Sequence, residues 1–351
     1  MKRFDYIRPV SVDDAVAAFR PGAAYLGGGT NLLDLMKIGV IQPDTLIDLG
    51  RIAELGPIEM LPGGGARVGA LVRNSDLAYD RAFAAAFPMV AEAILAGASG
   101  QLRNAATVGG NLMQKTRCAY FQDPHSACNR REPGSGCAAR GGDNANLAVL
   151  GWSDACIATN PSDMCVPLAA LGAVVEVQGP AGKRDIPIAD FHQLPGDQPE
   201  TETALQPGEL VIAIRLPTEA ADFARNARYL KVRERTSFAF ALVSVAAALK
   251  LDGQKIIAAR IALGAVAAKP WRVTAAEDLL VGQAPTEEAF ARAADALLEG
   301  ARASGDNGYK IELARRAVIR ALQMSAAGTP KRMPALPASP FGDVAEEHSH
   351  V

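Results

Sequence analysis

Four of the five cysteines in this 351-residue chain, Cys118, Cys128, Cys137 and Cys156, fall in one stretch, residues 114–160, that is rich in polar turns and nearly free of apolar periodicity. A segment of that length without regular structure is either disordered or functional, and in the second case something must order it. Five cysteines are an odd number for a disulfide framework, and a chain this long buries enough surface to need no stapling. Thiolate ligation of a metal is the device that fits. The intervals of nine, eight and eighteen residues match neither the ferredoxin nor the zinc-ribbon pattern, so spacing leaves iron and zinc both open. His125 reads as a loop residue of the stretch, and Cys165, beyond it, as a buried small side chain at a helix start.

An inserted loop needs a folded scaffold on both sides, and the flanking sequence supplies one. Ala23–Leu26 reads as a strand, Gly27–Gly29 as a loop, and Thr30 as the cap of a short helix ending near Met36. Thr45–Leu49 and Ala66–Leu71 read as further strands, and Ser75–Asp76 as the cap of an alanine-rich helical region that runs to Ala96 with a break near Pro88. After the insertion come a helix over Met164–Gly172, a strand over Ala173–Gln178, a turn at Gly179–Gly182 and a strand over Glu209–Leu216. Strands are then expected at Arg228–Val232, Ser237–Leu249 and Lys255–Leu263, the last two joined at Asp252–Gly253. Helices over Thr286–Glu299 and Tyr309–Met324 close the folded part, and a Pro/Ala/Ser-rich tail follows.

A net charge of −2 with 21% charged residues offers no cationic surplus for nucleic acid. No apolar run reaches the roughly 18–20 residues of a membrane span. The start, Met1–Tyr6, meets Asp5, Arg8 and Asp13 where a signal core should be apolar, so export is expected only through a signal on a partner. The expected location is therefore periplasmic by co-export, or cytoplasmic.

Two glycine runs carry the chemistry. Gly27-Gly28-Gly29-Thr30-Asn31 follows a strand and lets backbone N–H groups approach a pyrophosphate, yet no Lys-Ser/Thr follows and the G-x-G-x-x-G spacing is absent. Arg103–Asn111 adds a threonine hydroxyl, Gly109, Gly110 and an amide suited to phosphate and ribose. Each run alone reads equally as a tight turn. No Ser/His/acid set emerges, and His192, His348 and His350 have no evident partner, so no substrate chemistry is expected on this chain.

Together with Pro161-Ser162-Asp163, Lys231, Arg235 and Phe240–Ala246, these runs, GGGTNL at 27–32 and LRNAATVGGNL at 102–112, resemble the FAD-binding medium subunit of the molybdenum hydroxylase (xanthine dehydrogenase) family. The resemblance spans roughly residues 1–325. It implies an α+β fold, with a two-subdomain FAD-binding domain of the vanillyl-alcohol oxidase/xanthine dehydrogenase type over 1–222 (subdomains 1–55 and 56–222). A smaller α+β domain would follow over 223–327, and a tail over 328–351.

It also implies that Leu26, Gly27, Gly28, Gly29, Thr30, Asn31 and Leu32, with Ala106, Thr107, Gly110 and Asn111, wrap the FAD pyrophosphate. Ser162 and Asp163 would support the cofactor, and Lys231 would lie near the flavin ring. The insertion resembles that of the four-iron four-sulfur (4Fe-4S) subgroup, closest to bacterial periplasmic aldehyde oxidoreductases, with Cys118, Cys128, Cys137 and Cys156 as ligands. The implied role is electron transfer in a heterotrimer. A large molybdopterin subunit oxidises an aldehyde, a small subunit with two 2Fe-2S clusters relays electrons, and FAD passes them to an external acceptor. Two readings stand beside it: a free-standing flavin oxidoreductase, and a zinc-stabilised scaffold without enzymatic activity.

Overall fold

The computed structural model describes residues 1–331; most of the expected tail, with His348 and His350, lies outside them. Three sheets organise the chain. The first is parallel, with Thr45–Asp48 between Asp5–Ile7 and Ala23–Leu26. The second is antiparallel, in the order Ile58–Met60, Ala66–Gly69, Leu210–Leu216, Val174–Gly179, Gly182–Pro187. The third pairs Val243–Asp252 with both Ala227–Val232 and Lys255–Gly264.

Burial patterns explain how the layers stack. Val174–Gly179 alternates between buried and half-buried positions, as a strand with one covered face must, whereas nearly every residue of Leu210–Leu216 is buried. Leu210 and Ile212 point into a core with Val12, Ala15 and Ile47 beside the first sheet. Val211, Ile214 and Leu216 point the other way, into a larger core with Phe83, Val90 and Ile94. The third sheet is covered on both faces in the same manner. Ala246 and Ala248 meet that larger core, while Val245, Ala247 and Leu249 pack under the helices Glu287–Leu297 and Tyr309–Ala327.

The alanine-rich region forms three helices, Asn74–Tyr79, Arg81–Ala86 and Pro88–Ala96. Asp80 starts the second by accepting from Phe83 N at 2.8 Å, and Pro88 starts the third, where a missing N–H costs nothing. Every residue of the third is buried, Glu92 included. That carboxylate faces Arg228 at 3.1 Å and accepts from Tyr229 N at 2.7 Å, so the third sheet is tied to this helix by charge as well as packing.

Four expectations need correction. Thr30 caps nothing: the helix is Leu32–Lys37 with Asn31 at its cap position, whose side chain turns instead to the insertion. Ser75 and Asp76 lie inside the helix that they were expected to start, which begins at Asn74 with Arg73 at its cap position. The strand expected from Ser237 begins at Val243, because Phe238 takes a φ of 50° that no strand permits. His192 has a partner, its Nε2 lying 3.0 Å from Leu112 O in a buried position.

The insertion is ordered. It contains the helix Ala119–Gln122, the 3-10 turn Ala138–Gly141 and a bridge between Cys128 and Cys137. Lys310, fully buried on Tyr309–Ala327, fastens its far end by donating to the carbonyls of Asn146, Leu147 and Ala265 at 3.0, 2.9 and 2.7 Å. Burial pushes the Lys310 pKa down to about 7. Lys310→Met takes the side-chain donor from the Asn146 and Ala265 carbonyls, while Leu147 O keeps Asn307 Nδ2 at 3.1 Å, and the loss costs about 1–3 kcal/mol. The expected result is a lower midpoint in thermal unfolding, with far-ultraviolet dichroism of the folded protein unchanged.

Candidate functional site

The glycine loop between Leu26 and Leu32 crosses the loop that ends at Thr107. A Cβ on Gly28 would stand 2.0 Å from Ala105 O, and one on Gly27 would stand 2.9 Å from Thr107 Oγ1. That hydroxyl is engaged: it accepts from Gly110 N at 3.2 Å and starts the short helix Val108–Leu112. Gly29 takes a φ of 74°, open to glycine without strain. The two runs read as phosphate loops are therefore pressed backbone to backbone.

A cavity opens on each side of this crossing. One, of about 420 Å³, is lined by Gly27–Leu32, Tyr25, Leu71, Thr107, Lys115 and Leu210. The other, of about 230 Å³, is lined by Asp34, Asn74, Arg103, Ala106, Asn111, Arg117, Asp163, Lys231, Phe238 and Phe240. Thr30, Asn31 and Gly110 line both. Two chambers joined at a glycine-rich neck suit a ligand with two bulky ends and a narrow anionic middle, which is the shape of a dinucleotide.

Unpartnered polar atoms mark the same space. Asn31 Nδ2 at the neck, and Asn74 Oδ1 and Arg117 Nε in the smaller chamber, are buried without a hydrogen-bond partner among the described residues. Such atoms are costly unless a ligand or water satisfies them.

Of the residues singled out from the sequence, Leu26 and Ser162 line neither chamber. Leu26 supports the loop from the strand end. Ser162 stands behind Asn111: its Oγ donates to Asn111 Oδ1 at 2.8 Å and accepts from Cys165 N at 3.2 Å. Asp163 and Lys231 meet in the smaller chamber's wall at 2.8 Å, with Tyr229 donating to the same carboxylate at 2.6 Å. The Lys231 side chain is 1% exposed and that of Asp163 11%. Asp163→Asn strands the ammonium without its counter-charge, a change that costs about 3–5 kcal/mol in buried pairs. A fall of several degrees in the thermal midpoint is the expected result, and an unchanged midpoint would show the pair to be dispensable.

Sequence reasoning missed Arg117, Asn74 and the Phe238–Phe240 loop, and gave Arg103 no role beyond heading the second glycine run. The Arg117 guanidinium lies 5.1 Å from the centre of the Phe240 ring, a cation held by an aromatic at the chamber's edge. Its position next to Cys118 was the available signal, since the residue beside a ligand at the root of an insertion must face the scaffold.

The four cysteines of the insertion come together around a small cavity also lined by Thr116, Phe121, Arg130 and Ile157. All are free thiols, and three are buried, Cys137 being half-buried. Local hydrogen bonds fix the loop that carries them: Cys128 N donates to Ser135 Oγ at 3.0 Å, and Gly136 N to Asn129 Oδ1 at 2.7 Å. Burial pushes the Cys118 thiol up to about 11, so binding a metal there releases protons. His125 is exposed and lines no part of this cavity. Cys165 is fully buried and burial pushes its thiol up to about 12, in keeping with an inert core residue. Among the described residues no three His, Cys, Asp or Glu side chains converge as one shared ion would require.

A chambered dinucleotide site on an α+β frame defines a flavin-nucleotide-binding protein. The chain matches the family described as "FAD binding domain in molybdopterin dehydrogenase" over residues 2–219, and "CO dehydrogenase flavoprotein C-terminal domain" over 228–325. It belongs to the FAD-binding medium subunits of the molybdenum hydroxylase family. It is 47% identical over 325 residues, 92% of this chain and 98% of the relative, to the aldehyde oxidoreductase FAD-binding subunit PaoB of Escherichia coli K12. It is 30% identical to the carbon monoxide dehydrogenase medium chain of Afipia carboxidovorans, covering 91% of this chain and 96% of that one. Among solved structures, carbon monoxide dehydrogenase from Hydrogenophaga pseudoflava superposes with a TM-score of 0.72 at 30% identity, covering 93% and 98% of the two chains.

Proposed function

We propose that this chain is the FAD- and iron-sulfur-containing electron-transfer subunit of a heterotrimeric, molybdenum-dependent aldehyde oxidoreductase. The observation that carries the flavin part is the pair of chambers meeting at the Gly28–Ala105 crossing. The likeness to PaoB supports the aldehyde, and membership of a family of medium chains supports a large molybdopterin subunit and a small 2Fe-2S subunit as partners. Neither the free-standing flavoenzyme nor the zinc scaffold is favoured by these relatives.

Bound FAD supplies the ability to take electrons singly and give them up in pairs. The chain's own residues supply the setting. The N–H groups of the 27–31 loop and Asn31 Nδ2, which is buried without a partner, would hold the anionic middle of the cofactor. Lys231, held by Asp163 and by Ala96 O at 3.2 Å, gives the smaller chamber a fixed cationic wall. Arg117 adds a second cation there. We place a 4Fe-4S cluster on Cys118, Cys128, Cys137 and Cys156. Because Cys118 directly follows Arg117, that centre would sit one residue from the flavin chamber.

The deciding experiment is an absorption spectrum of the purified chain together with iron, sulfide and zinc analysis. Oxidised-flavin bands over a broad iron-sulfur shoulder, with about four irons per chain, are expected. Flavin without iron would retain the family role and remove the cluster. Zinc without flavin would overturn both.

A further inference from the structure

Arg130 lies between the cysteine cavity and a second small one. Its side chain is 6% exposed, and it lines both the space around the four thiols and the space beside His192 and Glu202. On the first side it faces the cysteines, lining their cavity beside Cys128 and Cys156, whose sulfurs push its pKa up. On the second, Nη1 stands 3.5 Å from Glu202 Oε2, and Nε is buried with no partner.

Charge counting shows what is unusual here. Glu202 is shared: Lys115 Nζ reaches the same carboxylate oxygen at 3.2 Å. Two cations thus lean on one anion, leaving a surplus positive charge, and an arginine cannot shed its proton. His192 adds no charge of its own, since burial pushes its pKa down to about 4 and keeps the ring neutral. A buried surplus cation is costly unless an anion faces it. The group that Arg130 faces, besides Glu202, is the cysteine cluster.

We propose that Arg130 is a positioning residue for the sulfur centre: its buried guanidinium, facing the four cysteines, adds a fixed positive charge that raises the centre's reduction potential. The proposal rests on the 4Fe-4S reading above. A cluster on four thiolates is a net anion that gains a further negative charge on reduction, so a nearby cation favours the reduced form. Glu202 works in the opposite sense, and its grip on Lys115, which lines the larger chamber, links the cluster's surroundings to the dinucleotide site.

The test is a redox titration of the full chain followed by electron paramagnetic resonance, with iron and sulfide measured on every sample. Arg130→Met is expected to shift the cluster midpoint to lower potential. Glu202→Gln, which leaves the arginine uncompensated, is expected to shift it to higher potential. Opposite shifts separate an electrostatic role from a general loosening of the loop, which would move both variants alike. An iron-loaded Arg130→Met protein with an unchanged midpoint overturns the assignment while the cluster stands. If Arg130→Met cannot hold iron, Glu202→Gln decides alone, and a midpoint that stays or falls overturns the proposal. Iron-free wild-type protein overturns the cluster reading and this inference with it.

Discussion

Gly28→Ala should leave the folded chain almost devoid of flavin. The added methyl would sit 2.0 Å from Ala105 O, 2.8 Å from Ala105 C and 3.1 Å from Ala106 Cα. All three are backbone atoms, so no rotamer change relieves the clash, and one of the two crossing loops must move. Overpacking of this kind costs about 1–3 kcal/mol, sometimes more. If the displacement is taken up at the neck, FAD affinity falls about ten- to a hundred-fold or further, since each tenfold corresponds to about 1.4 kcal/mol. The measurement is flavin per chain after gel filtration, with a fluorescence titration of FAD into the stripped protein. Retention of wild-type affinity would place the cofactor's anionic middle elsewhere. Gly100, whose Cβ would meet nothing within 4 Å and which lines neither chamber, is the matched control.

What the sequence revealed and what it hid divide along a physical line. Residues whose chemistry is local were legible: Gly27–Gly29 as a loop after a strand, Ala23–Leu26 as that strand, the cysteines as one set. Contacts that exist only through the fold were not. That the Thr107 hydroxyl also accepts from Gly110 N, and that Gly27 lacks a side chain partly to leave that hydroxyl room, could not be read. Nor could the bond by which Ser162, expected to support the cofactor, orients Asn111 from behind. The segment 237–242 alternates like a strand, but Phe238 and Phe240 are 57% and 50% exposed and stand at the smaller chamber, so alternation there reflects a lining loop. Asp163 and Lys231 are 68 residues apart, and nothing in the chain announces that they pair. The same holds for Arg130 and Glu202. Ion pairs across a fold leave no periodic trace, because each partner satisfies its own local pattern without the other.

The second large effect is expected at Cys128, and it tests how far the insertion and the flavin site depend on each other. Cys128 is 9% exposed and belongs to a small core in which the other members are mainly Leu35, Phe121, Leu147, Ile157 and the remaining cysteines. With so few apolar side chains, the proposed cluster's binding energy would supply much of the order of this loop. Cys128→Ser replaces a soft ligand with a hard, weakly acidic one, so iron is expected to fall well below the wild-type content. The loop then loses its order and becomes open to protease, which limited digestion followed by mass spectrometry reads as new cuts within 114–160. Flavin should follow. Lys115 N donates to Asn31 Oδ1 at 2.9 Å, and Arg117 projects from the same segment into the smaller chamber, so a loosened insertion releases both the neck and one wall. A Cys128→Ser protein that lacks iron yet resists protease and keeps its FAD would sink the idea that the cluster orders this region. The insertion would then stand on its own side chains, and the cluster's place beside Arg117 would have to be explained by electron traffic alone.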